Sequence, residues 1–505
     1  MTRFVFDAPV RRAPLSPFVC AARLTLLAAT LTLAGCGLTR TDYQRPPLPV
    51  PAQYRTLDGT PDTMTTAPAC VDNGSDCAAS ADVEPWWQSF GEPRLDALVA
   101  RALTGNTALA LKSLQAERDA LQAGLTDANR WPQLTASVTG AKSRSLDGGN
   151  AALVAGTQTV SNVNAGISYE VDLWHKLAAQ RDASHWQAAA SLWDRRAAAL
   201  TLSGDVASLY WRLAYLNENV RSAREDLAAA DRVVAVVDAR RRAGAVSALD
   251  PVQAQQDRDA VAGALADWER LRDLVRHALA NALGQPAQAR FDESQTLADA
   301  RIPDVAPGLP MALLARRPDL AAAETRVRAR LADVDAARLS FYPSLTLTGT
   351  VGTSSDSLSR LLSNPVGTLA ATIALPFLQI QTSRFTTALA RNDYEQSVTT
   401  FRSTLLTALK EVEDGLSARE STSAQYEALA RAATLALRAA EISGARYRAG
   451  DIDLQTWLDA QRLARQARRN AAQSRLDQID ATVTLVKALG GSASRSANAA
   501  ALASR

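Results

Sequence analysis

The sequence predicts a membrane β-barrel joined to a long α-helical coiled-coil barrel, with two tandem structural repeats in each protomer and closure only in an obligate oligomer. Three observations carry this. The chain repeats itself at a near-constant spacing, each repeat holds short runs alternating between apolar and polar residues, and each then carries a helical stretch of more than sixty residues without proline.

The repeat is read from matching segments. Arg242-Ala243-Gly244 returns as Arg448-Ala449-Gly450, Ala254-Gln255 as Ala460-Gln461 and Leu283-Gly284 as Leu489-Gly490, all 206 residues apart. Trp131-Pro132-Gln133-Leu134-Thr135 returns as Tyr342-Pro343-Ser344-Leu345-Thr346 at 211, so a few residues were gained or lost between. Such spacing marks a duplicated unit. We place the first repeat at 85–300 and the second at 301–491, followed by a flexible tail at 492–505.

Ahead of the repeats stands a leader. A basic segment ends at Arg23 and the apolar run Leu24 to Ala34 follows, the pattern of a secretory signal over 1–35. The run is too short to cross a bilayer as a helix, which takes about 20 apolar residues. Leu33-Ala34-Gly35-Cys36 then resembles the bacterial lipobox, in which the cysteine takes a diacylglycerol thioether and the leader is removed. Gly37 in place of aspartate implies sorting to the outer membrane. The leader's four arginines against one aspartate account for the whole net charge of +3, so the remaining chain is neutral. It offers no basic stripe for nucleic acid.

Residues 36–84 are rich in Pro, Thr and Asp without periodicity and read as a lipidated surface tether. Cys70 and Cys77 bracket a polar turn within it. In an exported chain these predict a local disulfide. Folded structure begins near Pro85-Trp86-Trp87.

Each repeat reads helix, two strands, long helix, turn, helix. Val163, Ala165, Ile167, Tyr169, Val171 and Leu173 alternate with Asn162, Asn164, Ser168, Glu170 and Asp172; Leu345, Leu347 and Val351 alternate with Thr346, Thr348 and Thr350. Runs of about ten to twelve residues cross a bilayer as tilted strands, apolar toward lipid and polar toward a lumen. A soluble hairpin with one buried face alternates identically. Trp131, Trp174, Phe341, Tyr342 and Phe377 fall at strand ends, where an aromatic girdle sits. The long helices are expected over 177–242 and 384–448, each about 100 Å at 1.5 Å per residue. Leu202, Val206, Leu209, Leu213, Leu216 and Val220 keep the alternating 4 and 3 spacing of a supercoiled seam, and Tyr394, Val398, Phe401, Leu405, Leu409, Val412 and Leu416 keep nearly the same rhythm. Shorter helices are expected over 92–130, 249–283, 308–340 and 454–489. Four strands leave open edges in lipid, which cost several kcal/mol per unsatisfied amide. Three copies supply twelve strands; four copies remain open at this point.

With the lipobox, the duplicated units and the turns RRRAGAVSALDPVQAQ and RYRAGDIDLQTWLDAQ, the chain resembles the TolC-like outer membrane factor family, in its lipid-anchored NodT branch, over Trp86 to Gly491. The resemblance implies a homotrimer in outer membrane lipid, a twelve-stranded barrel and a periplasmic helical barrel whose tip is formed by the two turns. It implies the exit duct of a tripartite efflux system, with a periplasmic adaptor and an inner membrane pump of the RND type. Ala243, Gly244, Ala245, Ala449 and Gly450 would then dock the adaptor. Asp250, Tyr447 and Asp459 match the gate positions, with an Asp250 to Tyr447 hydrogen bond expected; Ile452 and Thr456 depart from the family's charged residues there. Without the family, Gly244 and Gly450 read as left-handed helix caps, and Arg240 to Arg242, Arg446 and Arg448 as charges at the negative ends of their own helices.

Enzymatic chemistry is not expected. His175, His185 and His277 are the chain's three histidines, and none sits at metal-ligand spacing or beside a nucleophile motif. No catalytic residue, metal or cofactor is assigned. Two competing readings are the duct of a type I protein secretion system, which has the same fold, and a periplasmic coiled-coil spacer lipoprotein, which does not need the strands.

Overall fold

The structure, a computed structural model, describes residues 40–47, 84–143, 158–293, 295–297, 300–305, 316–355 and 365–491. The leader, Cys36, Cys70, Cys77 and the tail at 492–505 lie outside the described residues. After a 3-10 turn at Trp86–Phe90 come α1 (Pro93–Gly105), α2 (Thr107–Ala128), β1 (Gln133–Ser143), β2 (Gln158–Val171), α3 (Lys176–Arg242) and α4 (Leu249–Ala282). The second half supplies α5 (Pro318–Leu339), β3 (Ser344–Ser355), β4 (Pro365–Ala374), α6 (Ile380–Ala449) and α7 (Leu454–Ala488). Two compact units divide these elements, with boundaries inside α2, α3, α5 and α6.

The first unit takes in Gln122–His185, Arg328–Glu395 and the N-terminal stretch to Arg45. Its strands form one antiparallel sheet in the order β1-β2-β3-β4, so the β2 to β3 ladder is the one that joins the two repeats. The register places Leu134 opposite Ile167, Ile167 opposite Gly349, Val171 opposite Leu345 and Leu345 opposite Ile373. Since side chains alternate between faces, these apolar residues share one face. Thr135, Asn164, Ser168, Thr348 and Thr372 share the other. Leu134 is 81% exposed and Leu369 90% exposed, so no described part of this chain covers the apolar face. A soluble hairpin that packs its apolar face against its own chain is not what the described residues show. At the end of the central ladder the Trp174 indole donates to the Pro343 carbonyl at 2.9 Å and its ring lies 5.4 Å from Tyr342.

The second unit holds most of the helices. Trp86, Phe90, Tyr210 and Trp211 are buried together, and the Trp86 indole donates to Ser203 at 3.0 Å. Of the expected seam, Val206, Leu213, Leu216 and Val220 on α3 are buried, with Phe401, Leu405 and Val412 on α6. The uninterrupted helix expected over 92–130 is broken. Asn106 is extended (φ −71°, ψ 123°); its side chain accepts from the Leu109 N–H at 2.9 Å and donates to the Ala282 carbonyl at 2.9 Å. It ends α1, caps α2 and satisfies the end of α4 at once. Among the described residues no helix is long and apolar enough to cross a membrane.

Candidate functional site

The site is built where α3 turns into α4 and α6 into α7, within the second unit. Both turns use one device. Gly244 (φ 74°) and Gly450 (φ 89°) take the left-handed conformation, which costs a residue with a Cβ more than glycine. The Gly244 N–H donates to Arg241 O and the Ala245 N–H to Arg240 O, each at 2.9 Å. In the second repeat the Gly450 N–H donates to Tyr447 O at 3.1 Å and the Asp451 N–H to Arg446 O at 2.9 Å. These paired bonds form the Schellman cap, which satisfies carbonyls the helix leaves open. Ala243, Gly244, Ala245, Ala449 and Gly450 are all exposed.

The helices after the turns begin at Leu249 and Leu454, each preceded by a polar side chain at an equivalent repeat position. The Ser247 hydroxyl accepts from the Leu249 N–H at 3.1 Å and donates to the Asp250 carboxylate at 2.7 Å. Asp453, 206 positions on, accepts from the Thr456 N–H at 2.7 Å, and bonding from Thr456 holds its carboxyl below the ordinary range. The internal repeat carried a signal for both residues, because Ser247 and Asp453 are each three residues beyond a capping glycine, although Asp453 is the N-cap of its helix and Ser247 stands one residue before the N-cap Ala248.

The arginines do not all serve their own helices. Arg242 reaches Asp238 O and Arg448 reaches Gly444 O within their own last turns, at 3.3 and 3.1 Å. Arg240 crosses to the other repeat, donating to Tyr447 O at 3.0 Å and Arg448 O at 2.7 Å, with its guanidinium 4.7 Å over the Tyr447 ring. A charge carried by α3 thus caps α6. On its other side Tyr447 stacks on Trp457 at 5.0 Å. Trp457 lies so close to Gly444 that a Cβ there would stand 2.9 Å from its indole nitrogen. Val233, Val237, Ala254, Leu454 and Leu458 complete a buried cluster around Tyr447, binding the two hairpins together.

The three gate candidates are not joined within one chain. Tyr447 is 2% exposed and its hydroxyl has no hydrogen-bond partner among the described residues, while Asp250 is half-buried and bonded to Ser247. Asp459 is exposed and pairs with Arg462 at 2.8 Å. A charged link across the repeats lies instead at Asp257 on α4. Its side chain is buried and receives Arg462 at 3.2 Å and Arg465 at 2.8 Å from α7. Sequence reading passed over it because a charge on a polar helix is ordinarily a solvated face. Asp257 lines a groove of about 840 Å³ with Asp226, Trp268, Asp459, Arg462 and Arg469. Burial first, then repulsion from Arg465, lowers the affinity of Arg469 for its proton. The arrangement binds helices to helices. Among the described residues no group of His, Cys, Asp and Glu is placed to hold a metal ion.

Three comparisons bear on the family. The chain is 33% identical over 440 residues to the pyoverdine export outer membrane protein OpmQ of Pseudomonas putida, covering 86% of this chain and 93% of that one. It is 30% identical over 417 residues to the probable outer membrane lipoprotein SilC of Salmonella typhimurium, covering 81% and 85%. Its fold matches the open state of the Neisseria gonorrhoeae MtrE outer membrane channel at a TM-score of 0.76 and 28% identity, covering 90% of this chain and 98% of that one. The family model described as outer membrane efflux protein matches in two segments, 98–285 and 309–491. The chain belongs to the outer membrane efflux protein family.

Proposed function

We propose that this chain is one protomer of a trimeric passive duct through the outer membrane, the exit of a tripartite efflux system exporting drugs or small toxic compounds. The observation that carries the reading is the sheet. Four strands with an uncovered apolar face and two unpaired edges, β1 and β4, are the stave of a barrel that closes only with further copies in lipid. The names of its relatives, an export protein and a lipoprotein, support export and a lipid anchor on Cys36. The energy comes from a partner, an inner membrane pump of the RND type, to which a periplasmic adaptor joins the duct.

The adaptor docks on the turns, where the small exposed Ala243, Gly244, Ala245, Ala449 and Gly450 allow close approach of another helical tip. Asp250, Tyr447 and Asp459 serve closure of the tip, and Cys70 pairs with Cys77 in the tether. In this reading Asp250 bonds across a subunit boundary, while Tyr447 holds the hairpins of its own chain. The test is to purify the mature chain in detergent and measure particle mass and single-channel conductance together. A conducting trimer is expected; a non-conducting monomer overturns the proposal.

A further inference from the structure

The described N-terminal stretch Arg40–Pro47 has no helix or strand, yet its contacts in the first unit are specific. Arg40 pairs with Asp182 in the second turn of α3. The next residue reaches the other repeat: the Thr41 N–H donates to Asp335 Oδ2 at 2.7 Å and the Thr41 hydroxyl to Asp335 Oδ1 at 2.8 Å. Asp335 stands four residues before the end of α5 and is 3% exposed, with Arg338 as a further donor at 3.0 Å. Tyr43 then lies under the guanidinium of Arg328, 4.6 Å away and two turns further back along α5. Two consecutive residues therefore hold α3, which follows β2, and α5, which precedes β3. Those strands form the ladder between the repeats.

The duplication shows that this site is not an inherited repeat feature. Asp335 stands seven residues before Tyr342, and the equivalent place seven before Trp131 is Gly124. The second repeat alone carries the acceptor, matching a chain with a single N-terminal segment. A buried carboxylate costs stability unless donors satisfy it, and Thr41 supplies two of them.

We propose that Arg40–Tyr43 is a strap received by a dedicated site on α3 and α5, and that its docking fastens the base of the β2 to β3 ladder where the repeats meet. The strap begins four residues after Cys36 in sequence, so it links the end of the chain that carries the proposed anchor to the helices flanking the ladder that joins the repeats. It is a property of a single protomer and holds whether or not the assembled protein conducts.

The test is amide hydrogen exchange on the full chain purified from the membrane, with conductance recorded on the same samples. Thr41→Pro removes both donors to Asp335 and Thr41→Val only the hydroxyl. Combined with Arg40→Ala, Thr41→Pro is expected to speed exchange of the protected amides in Tyr169–Val171 and Leu345–Leu347 about tenfold, with Thr41→Val intermediate and the amides of α4 and α7 unchanged. Arg40→Asp alone should loosen the same amides, and Arg40→Asp with Asp182→Arg should restore them. Exchange at the ladder base that stays within twofold of the parent, or a charge swap no better protected than the single variant, overturns the strap. A parent that does not conduct overturns the duct instead and leaves this comparison readable.

Discussion

Arg240 shows how one side chain can do what the local rule assigns to several. It offers two N–H groups to the last carbonyls of α6 and covers the ring of Tyr447. Arg240→Gln keeps polarity but loses charge and fork geometry, and we expect it to destabilise the α6 end by about 1–2 kcal/mol, read as faster hydrogen exchange in the residues before Gly450. Asp480 on α7 presents the opposite case. Burial raises its pKa above the ordinary value, and its Oδ1 has no hydrogen-bond partner among the described residues. The folded state therefore disfavours its charge. Asp480→Asn should raise thermal stability at pH 7 by about 1 kcal/mol. The gain should shrink as pH falls through the raised folded pKa and vanish below the ordinary carboxylate value, where the parent is protonated in both states. Asp182 runs the other way: burial raises its pKa, but bonding and charge from Arg40 and Arg181 outweigh that and leave it lowered. Its contribution is complete above the unfolded value and is lost as pH falls further, through the folded one.

At the scale of elements, the turns were legible because a helix that must end needs a left-handed residue, and Gly244 and Gly450 announce themselves. Replacing either by alanine should cost about 1 kcal/mol, and Gly450→Val more, measured as a fall in midpoint of helix melting. The strands were legible because the apolar residues expected on one face lie on it from Val163 to Val171 and from Leu345 to Val351, while Leu173 falls in the turn beyond the end of β2. Less could be seen where one element is finished by another distant in sequence. Asn106 sits between good helix formers, and only its bond to the Ala282 carbonyl explains the break. Asp257 looks like any surface acid until Arg462 and Arg465 close over it. Asp257→Ala leaves two arginines facing each other and should destabilise the α4 to α7 contact by about 3 kcal/mol or more, seen as earlier proteolysis of that hairpin pair. If the contact also resists opening of the tip, open probability in single-channel records should rise with it.

For the whole molecule, composition and duplication led to the family, since few folds need two helices of more than sixty residues and four strands in one chain. The candidate site was half legible: its turns were found, while the Tyr447 and Trp457 stack and the crossing of Arg240 depend on which helices lie side by side. The strap stayed hidden because a segment without periodicity gives no pattern to read, however specific its partners.

The antiparallel order of the sheet has a consequence for arithmetic and for ancestry. With an even number of alternating strands, β4 of one copy runs opposite to β1 of the next, so the pattern continues through any number of staves and parity alone does not fix the count at three. The same holds for half a stave. A lone repeat offers the same pair of edges, so six unfused halves would satisfy the ring that three fused chains satisfy. Asp335 against Gly124, and Tyr447 under Arg240 where the first repeat has Arg241, then mark where the halves stopped being interchangeable. Separating the chain between its repeats should yield pieces that assemble only as a matched pair.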